Sequence, residues 1–124
     1  MEASPRYLAF AQAVIDWIEQ PGHMAVTSTL TMTEVLVRPY RDSEVDLVNA
    51  YYGLLTTHTN LTWVTLDLRI ADTAAKLSAR YRLKTPDAIQ AATAAEWHAT
   101  GFVTNDPIFK RVNAFETLLF DDLF

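Results

Sequence analysis

The sequence predicts an α/β domain in which a parallel sheet is covered by helices on both faces, in three layers. Short apolar, β-branched segments alternate along the chain with longer segments of helical periodicity, and this alternation is typical of parallel sheets. The chain has 124 residues, of which 50% are hydrophobic and 20% charged. That is enough for one well-packed core without disulfides or metals. We therefore expect a single domain over residues 1–124.

The first third of the chain predicts a helix, a strand and a second helix. Ser4-Pro5 is typical of a helix start, and Pro21-Gly22 ends that helix. The apolar run 24–28 fits a buried strand. The capping-box pattern in residues 31–34 (Thr-Met-Thr-Glu) opens the next helix, and Pro39 limits it. Because the first segment is a helix, we expect the sheet to lack a leading strand.

The middle of the chain continues the alternation. Ser43 starts a helix that carries apolar residues at helical spacing up to Leu55. Residues 61–66 are predicted to form a second strand. Asp67 then has the position of an N-cap, and the helix it begins extends to Tyr81.

The last third predicts a helix, two strands and a short turn between them. Thr85-Pro86-Asp87 supplies an N-cap, a first-position proline and a first-turn acid. The Ala-rich helix that follows ends before Gly101, which has the character of a C′ residue. Residues 102–104 and 117–120 are predicted strands, and Asp106-Pro107 starts a helical turn between them.

Composition excludes several classes of protein. The chain has no cysteine, which excludes a disulfide framework, a thiolate metal site and a cysteine nucleophile. It contains no membrane-length apolar segment and no signal peptide, so we expect a cytoplasmic protein without a membrane partner. The net charge of −5 disfavours a basic face that coats nucleic acid, although carboxylates that hold divalent metal ions can reverse the local charge.

Three acidic residues from distant segments are predicted to meet at the carboxyl edge of the sheet, where sites of parallel α/β folds lie. Glu34 follows the first strand, Asp106 follows the third, and Asp87 begins a helix that must run antiparallel to the strands. Each has a simpler explanation as a capping or helix-dipole residue. Asp67 also follows a strand, so such convergence by itself is suggestive and does not decide between a site and helix capping.

Other polar residues carry weaker signals. The three histidines, His23, His58 and His98, lack metal-ligand spacing, and no glycine-rich phosphate loop or nucleophile elbow is present. The basic stretch of Arg80, Arg82 and Lys84 precedes Asp87. It is either a solvated surface or a set of phosphate contacts beside the predicted site.

Four segments together resemble one known family. They are residues 29–39 with Thr-Glu-Val-Leu at 33–36, residues 66–75 (Leu-Asp-Leu-Arg-Ile-Ala-Asp-Thr-Ala-Ala), residues 84–94 with Pro-Asp-Ala-Ile-Gln-Ala-Ala, and residues 103–109 (Val-Thr-Asn-Asp-Pro-Ile-Phe). In this order they resemble the PIN domain, and within that family the VapC-type toxins of bacterial toxin–antitoxin pairs. The resemblance covers nearly the whole chain.

The resemblance implies a metal-dependent endoribonuclease toxin that cleaves RNA and is neutralised by a small antitoxin protein. It implies that Glu34, Asp87 and Asp106 are ligands of Mg²⁺ or Mn²⁺, with Thr104 orienting a neighbouring carboxylate or water. Carboxylates are the ligands these hard cations prefer, and the bound metal can activate water for attack on phosphorus.

The chain departs from the family at its start. PIN domains begin with a strand that ends in the first of four acids, and no residue here corresponds to it. Two explanations stay open: the true start lies upstream of residue 1, or the chain is a shortened form. The second gives the alternative function, a catalytically inactive relative that only binds an antitoxin or another partner. We also expect a homodimer, because apolar and aromatic residues are in surplus near Tyr51, Tyr52 and Leu55.

Overall fold

The computed structural model describes residues 5–104, 106–119 and 122. Helices and strands alternate along this part of the chain, so the expected α/β class is confirmed. The predicted N-cap Ser4 and the strand residue Phe120 lie outside the described residues. In chain order the elements are α1 (Pro5–Ile18), β1 (Ala25–Ser28), α2 (Thr29–Arg41), α3 (Val45–Thr56), β2 (Leu61–Val64), α4 (Leu68–Tyr81), α5 (Thr85–Glu96), β3 (Gly101–Thr104), the 3₁₀ helix η1 (Pro107–Arg111) and β4 (Glu116–Leu119).

The four strands form two pairs, β1 with β2 and β3 with β4. The β3–β4 pair is parallel, with Gly101 opposite Glu116 and Thr104 opposite Leu119. This parallel pairing agrees with the sequence prediction. Within the described residues no strand precedes α1. None of the described helices has both the length and the apolar character needed to cross a membrane.

The chain divides into two compact units. Unit 1 contains the residues up to Ala25 together with Thr29–Trp63. An amide of Asn60 donates to the carbonyl of Ile18 (3.0 Å), and the Asn60 carbonyl accepts from the N–H of Ala25 (2.9 Å). These two bonds tie the end of α1 and the start of β1 to the turn before β2. The buried apolar residues of unit 1 are Ile15, Ile18, Val35, Val48 and Tyr51.

Unit 2 contains Val26–Ser28 and the described residues from Val64 onward. Its core is centred on α5, which packs against α4. Phe102 of β3 stacks on Phe115 and lies 4.6 Å from Phe109, measured between ring centroids. The buried members of this core are Val64, Ile70, Ala74, Leu83, Ala88, Ala91, Ala92, Phe109 and Val112.

Small side chains allow α5 to lie deep in unit 2. Ala91 and Ala92 are fully buried and Ala88 is 1% exposed. At such positions a larger side chain has no space, because protein interiors are close-packed. The small apolar residues at the centre of α5 are therefore required for packing. Because they hold the helix in the core, they also determine the position of its N-terminus.

Replacing Ala91 with Leu is expected to destabilise the protein by about 1–3 kcal/mol, because the added atoms must displace neighbouring core residues. The matched control is Ala75→Leu on α4, where the side chain is exposed and the change should stay within about 0.5 kcal/mol. Urea unfolding of both variants measures the difference. Equal stabilities would contradict the close packing of α5.

The capping predictions at Asp67 and Asp106 are confirmed, whereas both predicted boundaries of α2 are wrong. Asp67 caps α4 by accepting from the N–H of Ile70 (2.8 Å), and Asp106 caps η1. By contrast, α2 begins at Thr29, two residues before the predicted cap Thr31, and continues past Pro39 to Arg41. Pro39 is buried and removes only one backbone donor, so packing outweighs the loss and the helix continues.

The boundaries of α5 also differ from the prediction. Its N-cap is Lys84, so the predicted cap Thr85 is the first helical residue. The helix ends at Glu96, and His98 takes the left-handed conformation (φ 55°) that was expected of Gly101. Gly101 instead begins β3, where a side-chain carbon would lie 2.9 Å from the Cδ1 atom of Leu118. Cδ1 is the far end of a flexible side chain, so a small shift of Leu118 would make room for a side chain at this position.

Smaller boundary differences affect the remaining elements. The second strand ends at Val64, short of the predicted Leu66, which is 50% exposed. Helix α3 starts at Val45, after Ser43 has adopted a left-handed turn conformation (φ 55°). In the region expected to form a dimer contact, Tyr51 is buried within unit 1, whereas Tyr52 is 54% exposed.

Candidate active site

The loop after β3 holds Asp106 in a defined orientation. Its backbone N–H donates to the hydroxyl of Thr104 (3.1 Å), and its Oδ1 atom accepts from the N–H of Ile108 (3.0 Å). The bond to Ile108 is an Asx-type cap, which an Asp before a Pro favours, and the bond to Thr104 is the equivalent turn formed by a threonine hydroxyl. The Asp106 carboxylate is solvent-exposed, and no donor among the described residues contacts its second oxygen. One oxygen is thus fixed and the other can bind a ligand.

Asp87 lies in the first turn of α5, next to the buried residue Ala88. Burial raises the pKa of the Asp87 carboxyl, the charge of Asp106 raises it further, and the charge of Lys84 opposes both effects. The Asp106 contribution places the two carboxylates close enough to repel each other. Two residues 19 positions apart in the sequence therefore interact electrostatically within unit 2, and we call them the acidic pair.

Glu34, the third acid that the resemblance implies, lies on α2 in unit 1 and is exposed. Because α2 begins at Thr29, Glu34 falls beyond the first turn. The simple explanation that it completes a capping box is therefore wrong. Its role as a metal ligand stays a prediction, as do the roles of Asp87, Asp106 and Thr104.

The acidic pair suits a hard divalent cation. Mg²⁺ is commonly held by one or two carboxylates, with waters completing its coordination. A cation between Asp87 and Asp106 would also relieve the repulsion that raises the Asp87 pKa. Throughout the described residues, no three His, Cys, Asp or Glu side chains gather at one point. Within the described residues of unit 2, the carboxylates proposed to bind a cation are therefore those of Asp87 and Asp106.

Basic residues beside the acidic pair were only partly identified from the sequence. Lys84 acts electrostatically on Asp87, as its position three residues upstream suggested. Arg111 was missed: its Nη1 atom donates to the carbonyl of Tyr81 (3.3 Å), which brings the end of η1 to the end of α4. Because Arg111 and Tyr81 are 30 residues apart, no local sequence pattern could have predicted this contact.

Two solved structures share this fold at low sequence identity. One is a toxin–antitoxin complex from Klebsiella pneumoniae, with 23% identity and a TM-score of 0.62, covering 87% of this chain and 80% of that chain. The other is VapBC2 from Rickettsia felis bound to a DNA fragment from its promoter, with 15% identity and a TM-score of 0.58, covering 91% and 83%. A search of the curated proteins gave no match.

A family model extends the comparison to the sequence itself. The model of the PIN domain matches residues 8–114. This range includes both members of the acidic pair, Thr104 and Glu34. The alternation of helices and strands, the parallel β3–β4 pairing and the two solved structures agree with that match. The chain therefore belongs to the PIN domain family.

Proposed function

We propose that the protein is a metal-dependent endoribonuclease toxin of a type II toxin–antitoxin pair. The observation that carries the proposal is the electrostatic effect of the Asp106 carboxylate on Asp87, a repulsion that a divalent cation would relieve. Membership of the PIN domain family supports the same chemistry. The resemblance of the sequence to VapC-type toxins adds Glu34 as a third ligand.

In this proposal, Asp87 and Asp106 bind Mg²⁺ or Mn²⁺. The bound metal supplies an acidified water and neutralises charge on the phosphate. Asp87 is positioned by α5, whose buried alanines fix the helix in the core. Asp106 is oriented by the Ile108 N–H, and Thr104 holds the Asp106 backbone through its hydroxyl. The protein thus contributes two preorganised carboxylates, which reduces the cost of binding the cation.

The proposed partners follow from the same assignment. RNA is the substrate, and a small antitoxin protein is the inhibitor; both solved structures are toxin–antitoxin complexes. We further propose that residues 1–124 form a single PIN-like domain that acts in the cytoplasm as a homodimer. The exposed side chain of Tyr52 is available for the dimer contact, and light scattering that gives a concentration-independent monomer mass would contradict it.

Cleavage of single-stranded RNA tests the catalytic proposal. The full chain is expected to cleave with Mg²⁺ or Mn²⁺ and to stop when EDTA is added. Asp106→Asn should reduce the rate by about 10- to 100-fold, a range set by losses that follow changes near metal ligands. Asn remains a good N-cap, so η1 should keep its structure.

The matched control is Asp67→Asn, which makes the same change at the N-cap of α4. It should leave the cleavage rate unchanged and the fold intact by circular dichroism. Equal rates for Asp106→Asn and the unaltered protein would contradict the assignment of Asp106. An equal loss for both variants would show that the effect comes from capping.

An inactive PIN-domain protein that only binds a partner is the second candidate. It is favoured by the part of the chain that the structure describes, where no three His, Cys, Asp or Glu side chains gather at one point, whereas the family pattern has four acids. This candidate predicts no cleavage at any Mn²⁺ concentration, with antitoxin binding retained. The cleavage assay described above therefore separates the two candidates directly.

A further inference from the structure

Half of the cationic side chains of this acidic protein lie in two short stretches that flank the acidic pair in the sequence. The chain has ten Lys and Arg residues and a net charge of −5. Five of the ten lie in two short stretches of unit 2, all solvent-exposed. None of the five forms an ion pair with a carboxylate of the described residues. We call these five the basic rim; they are Arg80, Arg82, Lys84, Lys110 and Arg111.

Contacts around Tyr81 bring the two stretches of the basic rim together. The guanidinium of Arg80 lies over the Tyr81 ring, 5.2 Å from its centroid. Arg111 donates to the carbonyl of the same residue. Cation–π and carbonyl contacts of this kind orient a guanidinium without neutralising its charge. The charges therefore stay available to an anion.

The loop between α4 and α5 carries two further members of the rim, Arg82 and Lys84. Leu83 is 4% exposed and its carbonyl accepts from the hydroxyl of Ser78 (2.7 Å). Arg82 and Lys84, on either side of it, are exposed. A buried anchor between two exposed cations fixes their backbone in place, so ligand binding would cost little ordering of the loop.

Both of these cations occupy positions that are unfavourable for folding. Arg82 adopts the left-handed conformation (φ 57°) at the end of α4, where glycine is the preferred residue. Lys84 is the N-cap of α5 and makes no side-chain cap bond; a cation there opposes the helix dipole. Local rules are commonly broken at functional sites, so both positions favour a role other than stability.

We propose that the basic rim binds the phosphate backbone of single-stranded RNA next to the scissile bond. The proposal rests on the proposed nuclease function and specifies which surface of unit 2 receives the substrate. Lys84 lies next to Asp87, and η1 carries Asp106 at one end and Arg111 at the other. A polyanion that reaches the two carboxylates must overcome their repulsion, and the adjacent cations supply the compensating attraction.

RNA binding without cleavage tests the basic rim. The assay uses fluorescence anisotropy of a labelled single-stranded RNA, with EDTA present and with full-length protein carrying Asp87→Asn. Replacing Arg80, Arg82 and Lys84 together with Gln should weaken binding by about tenfold or more and lower the salt slope by about two, since each contact contributes about 0.7. Lys76→Gln, which removes a cation paired with Asp72 on α4, is the charge control and should change neither quantity.

A single substitution keeps the test informative if the triple variant does not fold. Arg82→Gly should raise the melting temperature by about 3 °C, because glycine relieves the left-handed backbone, and should nevertheless weaken RNA binding about threefold or more. His98→Gly relieves the same backbone conformation (φ 55°) away from the rim. It should stabilise the protein equally and leave RNA binding unchanged.

The outcomes separate this proposal from the nuclease function. If the unaltered protein cleaves RNA and the rim variants bind and cleave as it does, the basic rim proposal is wrong and the function stands. If the unaltered protein neither binds nor cleaves RNA, both are overturned. Binding of poly-L-glutamate that depends on the rim, without RNA binding, would assign the surface to an acidic protein segment and would also overturn the proposal.

Discussion

Asp87→Asn is expected to lower RNA cleavage by at least about 100-fold while making the metal-free protein more stable. The loss of activity follows from removal of a proposed metal ligand, since changes to outer partners alone cost up to about that factor. The gain in stability follows from burial and the Asp106 charge, which together disfavour an ionised Asp87. Because the site is partly solvent-screened, we expect about 0.5 kcal/mol, or about 2 °C in melting temperature.

The stability that Asp87→Asn gains over the unaltered protein should depend on pH. Burial and Asp106 raise the pKa of Asp87 in the folded state, so ionisation costs stability once the pH is above that pKa. The variant therefore exceeds the unaltered protein at neutral pH. The difference shrinks as the pH falls through the raised pKa of the folded state. It disappears below the ordinary pKa of the unfolded state, where the carboxyl is protonated in both states.

Urea unfolding in EDTA, repeated at decreasing pH from about pH 7, measures this difference. Addition of Mg²⁺ should reverse the order, since a ligand that binds only the folded state stabilises it. Asp72→Asn, an exposed acid on α4 paired with Lys76, is the control and should show neither effect. A less stable Asp87→Asn at neutral pH would contradict the repulsion on which the metal proposal depends.

Phe109→Ala is expected to cost about 3–5 kcal/mol, the range for removing a buried aromatic side chain. Phe109 is 5% exposed, contacts the ring of Phe102, and accepts a hydrogen bond at its carbonyl from the hydroxyl of Thr117 (2.9 Å). It thus joins η1 to β3 and β4. Such a loss is a large share of the roughly 5–15 kcal/mol that stabilises a typical domain.

Activity should fall together with stability in this variant, because η1 carries Asp106 at its N-cap. Leu68→Ala provides the comparison: Leu68 is 90% exposed, and its replacement should change the free energy of unfolding by less than about 0.5 kcal/mol. Urea denaturation measures both variants. A cost below about 1 kcal/mol for Phe109→Ala would show that η1 does not depend on this ring.

Local sequence signals predicted the features that depend on local interactions. Asp67 and Asp106 cap the elements that follow them, because a cap needs only a side chain and a backbone N–H two or three residues away. The sequence also predicts that Glu34, Asp87 and Asp106 converge, since α5 must run antiparallel to the strands to deliver the chain to β3. This stays a prediction, which the electrostatic effect of Asp106 on Asp87 supports for that pair. Sheet geometry alone determines that return.

Features that depend on tertiary packing were missed. Pro39 does not end α2, because it is buried in unit 1. Gly101 begins β3 opposite Glu116, and His98 takes the left-handed conformation expected of Gly101. The contact between Arg111 and Tyr81 joins residues 30 positions apart. In each case the deciding partner lies far away in the sequence, where neither periodicity nor capping patterns can identify it.

The parallel pairing of β3 with β4 has a consequence for hydrogen exchange. The two strands are four residues each and pair in full register, and the N–H of Glu116 also donates to the carbonyl of Thr100 (3.0 Å). Neither strand can detach without breaking the same set of bonds. Their amides should therefore exchange with solvent at a common rate, so that the backbone carrying Thr104 opens only when β4 opens with it.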